Sequence, residues 1–156
     1  MTPRIDFFHD YGQVVKPLRD IETYLRGCGL DSRLLHLIKM RASQINGCAY
    51  CLDMHSKDAR AEGESEQRLY ALDAWRETPF YSERERAALA WTEAVTRVAE
   101  GHVPDSVYET VRSQFSEAEL MSLTLAITNI NAWNRLAIAL RSVPGSYQPM
   151  RSNPPK

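Results

Sequence analysis

Apolar residues in this chain recur at helical spacing, and no stretch shows the sustained apolar and polar alternation of a half-buried strand. The pattern predicts an all-α fold. Its strongest example spans residues 116–141, where Leu120, Leu123, Ala126, Ile127, Ile130, Trp133, Leu136, Ala137 and Leu140 leave little polar circumference. A helix apolar around most of its girth belongs at the centre of a core or at an interface between subunits.

Local chemistry sets the other boundaries. A first helix is expected over residues 14–26, stopped by Gly27-Cys28-Gly29. Asp31 or Ser32 can cap a second, which carries Leu34, Leu35, Ile38, Ala42 and Ile45 on one face. Asn46-Gly47 breaks it, because both residues tolerate positive φ, and a fresh helix can start at Cys48 and run to about residue 61. A short helix is expected over 66–75, before Pro79. Ser82 with Glu85 and Ser116 with Glu119 fit the capping box and predict helices over 82–100 and 116–141, with a shorter one over 104–113. At 156 residues one domain suffices, and it is placed over residues 1–143. Residues 144–156 carry Pro144, Gly145, Pro149, Pro154 and Pro155 and are expected to form an extended tail.

Nineteen Lys and Arg balance twenty Asp and Glu, so the basic excess needed to neutralise nucleic-acid phosphates is missing and no nucleic-acid partner is expected. No apolar run approaches the ~20 residues that cross a bilayer, and Asp6, His9 and Asp10 interrupt the N-terminal stretch where a signal peptide stays apolar. These features predict a cytoplasmic protein with no membrane partner. Three cysteines, two of them three positions apart, do not read as a disulfide framework; in a reducing compartment such a pair is redox-active or metal-binding. The chain has no Gly-x-Gly-x-x-Gly fingerprint, so it does not draw electrons from a nicotinamide or flavin by itself, and no cofactor is expected.

The residues that carry chemistry are Cys48-x-x-Cys51-x-x-x-His55. On a helix starting near Cys48, steps of three and four residues keep both sulfurs and the imidazole on one face. The thiolate is the nucleophile, and both a helix N-terminus and a neighbouring imidazole favour its formation. The two aids favour different cysteines: the helix dipole acts most on Cys48, whereas His55 lies one turn from Cys51. Two cysteines and a histidine also make three tetrahedral zinc ligands, with His36 as a conceivable fourth. The second ligand pair usual for zinc is absent, however, and no metal is expected.

The run from Lys39 to Arg60, with Asn46-Gly47-Cys48-Ala49-Tyr50-Cys51-Leu52-Asp53-Met54-His55 at its centre, resembles the core motif of the alkylhydroperoxidase D-like branch of the carboxymuconolactone decarboxylase superfamily. The likeness continues through Gly63 to Leu69, Phe80 to Thr92 and Asn131 to Arg135. It implies a compact helical homo-oligomer, trimeric or hexameric, in which Cys51 attacks a peroxide, Cys48 resolves the product and His55 relays protons. It also implies an external reductant, a dithiol of the lipoyl or thioredoxin-like kind. The family relay often includes a glutamate twelve residues before the first motif cysteine, and His36 occupies that position here. A histidine can pass a proton near neutral pH but cannot supply the carboxylate's charge; the alternative is a ring merely packed between Leu35 and Leu37.

Other residues carry blander expectations. Cys28 reads as a passive thiol, and Tyr50, Trp75, Trp91 and Trp133 as packing residues. Asn129, Asn131 and Asn134, unusual on an apolar helix, are expected at a subunit interface or bordering the site. Glu83 to Arg86 reads as a solvated first turn and Lys57 to Glu64 as an exposed helix end. The rival functions are a non-enzymatic redox sensor or binding protein, and the lactone decarboxylation or isomerisation found in the wider superfamily, which a dicysteine motif does not serve.

Overall fold

The computed structural model describes residues 2–149, and among them there is no strand. The helices are α1 Lys16–Leu25, α2 Ser32–Asn46, α3 Ala49–Ala61, α4 Glu66–Ala71, α5 Glu83–Thr96, α6 Val98–Gly101, α7 Asp105–Gln114 and α8 Glu117–Leu140, with a 3-10 segment, Leu72–Glu77, following α4. Their starts are chemically explicit. Asp31 accepts from the Arg33 amide to cap α2. Ser82 with Glu85 and Ser116 with Glu119 form complete capping boxes at α5 and α8. Gly47 takes φ 69°, the left-handed conformation that ends α2 and turns the chain into α3.

α2 is the central element, packed against α3, α5 and α8. Leu34, Leu35 and Ile38 on one side of it join Leu123, Ala126 and Ile127 of α8, with Ala88 of α5 and Val111 of α7. Leu37 and Met40 on another side meet Leu69, Leu72, Trp75 and Leu89. Each such side chain contributes roughly 1.5–3 kcal/mol by leaving water, which is why a 15-residue helix with modest intrinsic propensity holds its place. A smaller cluster of Ala42, Cys48, Cys51, Ile130 and Ala137 supports the cysteine pair from beneath.

Three boundaries and several surface readings differ from expectation. The helix expected over 66–75 tightens into the 3-10 segment, where Ala74 leaves helical geometry and the buried Trp75 directs Nε1 to Glu93 at 2.9 Å. The helix expected over 82–100 stops at Thr96, and α6 is a separate turn because Arg97 departs from helical φ and ψ. Residues 144–149 carry no helix and are tied to α3: Lys57 Nζ donates to the Tyr147 carbonyl at 3.0 Å and the Gly145 amide donates to Asp53 at 3.0 Å. The rest of the expected tail, 150–156, lies outside the described residues.

The two charge runs are not simply solvated. Arg84 stacks on Phe115 and pairs with Glu119 at 2.7 Å, while Arg86 donates to the carbonyls of Trp75, Arg76 and Thr78. The asparagines of α8 find partners within the chain. Asn46 donates to Asn131 at 2.9 Å and to Asn134 at 2.8 Å, Asn134 donates to Ser43 at 3.0 Å, and Asn129 donates to Glu22 at 2.6 Å. Asn131 and Asn134 thereby hold the turn at Asn46-Gly47 onto α8, whereas the buried Asn129 Oδ1 has no partner among the described residues. No helix among the described residues is long and apolar enough to cross a membrane.

Candidate active site

Cys48 is the N-cap of α3, and Cys51 lies in the first turn of that helix. The extended backbone at Cys48 follows from the left-handed Gly47, and the Cys48 amide donates to the Ser43 carbonyl at 3.0 Å, which closes the turn. The two cysteines are joined as a disulfide, with Cα atoms 5.4 Å apart. Both are buried, yet only Cys51 of the two lines a cavity of about 440 Å³ that opens beside α3. Both cysteines sit in the small apolar cluster with Ala42 and Ile130.

His55 follows one turn after Cys51 on the same buried face of α3 and also lines the cavity. Burial, then the positive fields of Lys39 and His36, hold its pKa well below the ordinary 6.5. The imidazole is therefore neutral at pH 7, the form that accepts a proton. His36 lines the same cavity from α2 with its ring centroid 6.1 Å from that of His55. Its Nε2 lies 3.2 Å from Glu62. Burial alone raises the Glu62 carboxyl, but hydrogen bonds from Ser32 and His36 outweigh it and the pKa falls below its usual value.

Several contributors are new. Lys39 is buried on the cavity wall and paired with Glu22 at 2.5 Å, and Asn129 donates to the other oxygen of that carboxylate. Asp58, one turn beyond His55, lines the cavity and accepts from the Tyr147 hydroxyl at 2.7 Å. Phe8 stacks on Trp133 at 5.8 Å and is tilted against Tyr50 at 5.6 Å, and the three line the cavity as an aromatic wall, so Tyr50 and Trp133 face it as well as packing. Trp75, by contrast, is a core residue, and Cys28 is a free thiol at the edge of the core. The one sequence signal for Lys39 was a cation on an otherwise apolar stretch of α2; nothing local marked Glu22 or Tyr147. The arrangement offers a dithiol and disulfide couple with a neutral imidazole base, at the wall of a cavity large enough for an organic molecule.

A profile of the carboxymuconolactone decarboxylase family matches residues 10–94. The chain is 42% identical over 140 residues to the uncharacterised protein YdfG of Bacillus subtilis, covering 90% of this chain and 95% of that one. A crystal structure from Agrobacterium tumefaciens, of a protein of unknown function provisionally assigned to antioxidant defence as an AhpD, matches with a TM-score of 0.89. Its identity to this chain is 44%, over 94% of this chain and 100% of that one. The debrominase Bmp8 has the same fold, with a TM-score of 0.78 at 21% identity over 87% of this chain and 73% of its own.

Proposed function

Because the chain belongs to the carboxymuconolactone decarboxylase family, in its AhpD-like branch, we propose that it is a thiol-dependent peroxidase that reduces alkyl hydroperoxides with Cys51 as the attacking residue. The observation that carries this reading is the asymmetry of the pair: Cys51 lines the cavity with His55 one turn away, and Cys48 does not line it. In the reduced protein His55 takes the Cys51 thiol proton. The thiolate attacks one peroxide oxygen, a sulfur to oxygen bond forms, the oxygen to oxygen bond breaks, and the leaving alkoxide takes a proton to depart as an alcohol. Cys48 then attacks the Cys51 sulfenic acid, water leaves, and the disulfide forms. An external dithiol of the lipoyl or thioredoxin-like kind, in the cytoplasm, returns both thiols by exchange.

A single-turnover titration of the reduced protein with a small alkyl hydroperoxide tests this. Rapid loss of two thiols with one Cys48 to Cys51 bond found by mass spectrometry is expected; thiols that survive the peroxide sink the proposal and leave a sensor or binding role. A second reading is reductive dehalogenation of a small aromatic ring, favoured by the Phe8, Tyr50 and Trp133 wall. In that reaction the dithiol supplies two electrons, halide leaves, the ring takes a proton and the same disulfide forms. Halide release from a bromopyrrole by the reduced protein separates the two.

A further inference from the structure

Two buried imidazole nitrogens face no partner in this structure: His36 Nδ1 and His55 Nδ1. A buried polar atom left unpaired costs roughly 1–3 kcal/mol, and two on adjacent rings ask for an explanation. Ligand-capable atoms of His36, His55 and Asp58 lie within 4.8 Å of one another. His55 and Asp58 are three positions apart on α3, which puts them on neighbouring parts of one face, and His36 meets them from α2.

The groups behind these residues are arranged as the supports of a metal centre are. His36 Nε2 lies 3.2 Å from the Glu62 carboxylate, which leaves the unpaired Nδ1 as the ring nitrogen open to a ligand. Tyr147 donates to Asp58 Oδ1 at 2.7 Å, fixing that carboxylate while Oδ2 stays available. The nearby cation that opposes an ion here, Lys39, is paired with Glu22 at 2.5 Å. Two imidazoles and one carboxylate are the donor set of an open zinc-type centre, and the cavity supplies the space for a fourth ligand.

We infer that His36, His55 and Asp58 form a binding site for one divalent transition-metal ion of the zinc or cobalt class, on the cavity wall and without either sulfur. The site is distinct from the zinc arrangement built on the cysteine pair, and it stands whether or not the protein reduces peroxides.

The test uses the full chain with its disulfide intact, so that no thiol can ligate. Cobalt(II) titration followed by visible absorption should saturate at one equivalent, zinc(II) should displace it, and zinc should raise the melting temperature. His36→Gln and Asp58→Asn should each weaken cobalt binding at least roughly 10-fold while retaining the helical circular dichroism spectrum. Absence of saturable binding by the oxidised chain, or equal affinity in both folded variants, overturns the site. Should a ligand variant unfold, Glu62→Gln carries the test, since it leaves all three ligands in place: weakening by roughly 10-fold or more supports the site and unchanged affinity overturns it.

Discussion

Tyr147 donates its hydroxyl hydrogen to Asp58 across 89 positions of sequence, and this bond brings the segment after α8 onto the helix that carries the cysteine pair. Tyr147 and Pro149 thereby become part of the cavity wall. Burial, followed by the hydrogen bond to Asp58 and its charge, pushes the Tyr147 phenol above its ordinary range. The phenol therefore remains protonated, and a donor, at neutral pH. Tyr147→Phe removes the bond and keeps the ring. We expect a stability loss of about 1.5 kcal/mol, the scale for a hydrogen bond to a charged acceptor. We also expect the reduced Cys51 thiol to react several-fold faster with a bulky aromatic disulfide reagent, followed by stopped-flow absorbance. An unchanged rate shows that the segment does not restrict access.

The turn that presents Cys48 depends on a side chain far away in sequence. Asn134 is fully buried, accepts from Asn46 and donates to Ser43, so it clamps both sides of the turn at Gly47. Asn134→Ala leaves those two groups short of partners, and the cost should be about 2–4 kcal/mol at a site this enclosed. Chemical denaturation measures it. The reduced variant should also re-form its disulfide more slowly, because the start of α3 is less well held. A loss below about 0.5 kcal/mol, the ordinary scatter of surface changes, contradicts the clamp.

Much of this architecture was legible in the sequence because it is local. Both capping boxes, the Asp31 cap, the Asn46-Gly47 turn and the spacing of Cys48, Cys51 and His55 lie within a few positions of each other and appear where their chemistry puts them. What was not legible depends on contacts over long separations. The partner of Lys39 is 17 residues away and that of Asp58 is 89 residues away, and neither pairing leaves a pattern in its own helix. Arg84 and Arg86 differ from expectation for the same reason: their periodicity matches a solvated face, but Phe115 and the carbonyls of Trp75, Arg76 and Thr78 are folded against them. The asparagines of α8 read from sequence as interface or site-bordering residues because no intrachain partner is visible until α2 is laid beside α8.

Cys51→Ser is the conservative change that separates chemistry from packing. Cys51 is buried beside Ile130 and Ala137, and a near-isosteric replacement should cost less than about 1.5 kcal/mol beyond loss of the disulfide. The reduced forms of variant and parent should therefore melt within a few degrees of each other, while the variant consumes no peroxide. A collapse of the melting temperature in that comparison makes the cysteine structural.

Glu93 joins three elements. It accepts from Arg41 Nε at 2.8 Å, Trp75 Nε1 at 2.9 Å and Arg76 at 2.6 Å. Burial raises its carboxyl, but the hydrogen bonds from Trp75, Arg76 and Arg41 and the charge of Arg41 outweigh it, so the pKa lies below the ordinary 4.5. Glu93→Ala strands the buried Arg41 guanidinium, which retains only the exposed Asp73 and the Gln44 side chain, and should cost about 3–5 kcal/mol in urea unfolding. A cost under about 1 kcal/mol shows that the pair is not what holds α5 to α2.

His55 gives the protein a pH dependence in a separate window. Its folded-state pKa is depressed by burial, then by Lys39 and His36, so below the ordinary 6.5 the unfolded chain binds a proton that the folded chain refuses. The stability is present in full above pH 6.5 and is lost as the pH falls from there toward the folded value, with a slope of up to roughly 1.4 kcal/mol per pH unit. Glu93 has the same sign but acts only below its ordinary 4.5, so the two windows do not overlap near neutrality. The exposed His9 ring, raised by its hydrogen bond and charge interaction with Asp10, runs in the opposite sense and is unaffected by changes at α3. Urea unfolding at pH 7.5, 6.5 and 5.5 in the presence of a chelator should therefore show the parent protein weakening steadily toward acid. His55→Gln, which keeps a polar group of similar reach and cannot titrate, should show a slope reduced by most of one proton. Equal slopes in the two proteins would mean that His55 takes up its proton inside the fold, and the neutral-base role assigned to it beside Cys51 would fail with that result.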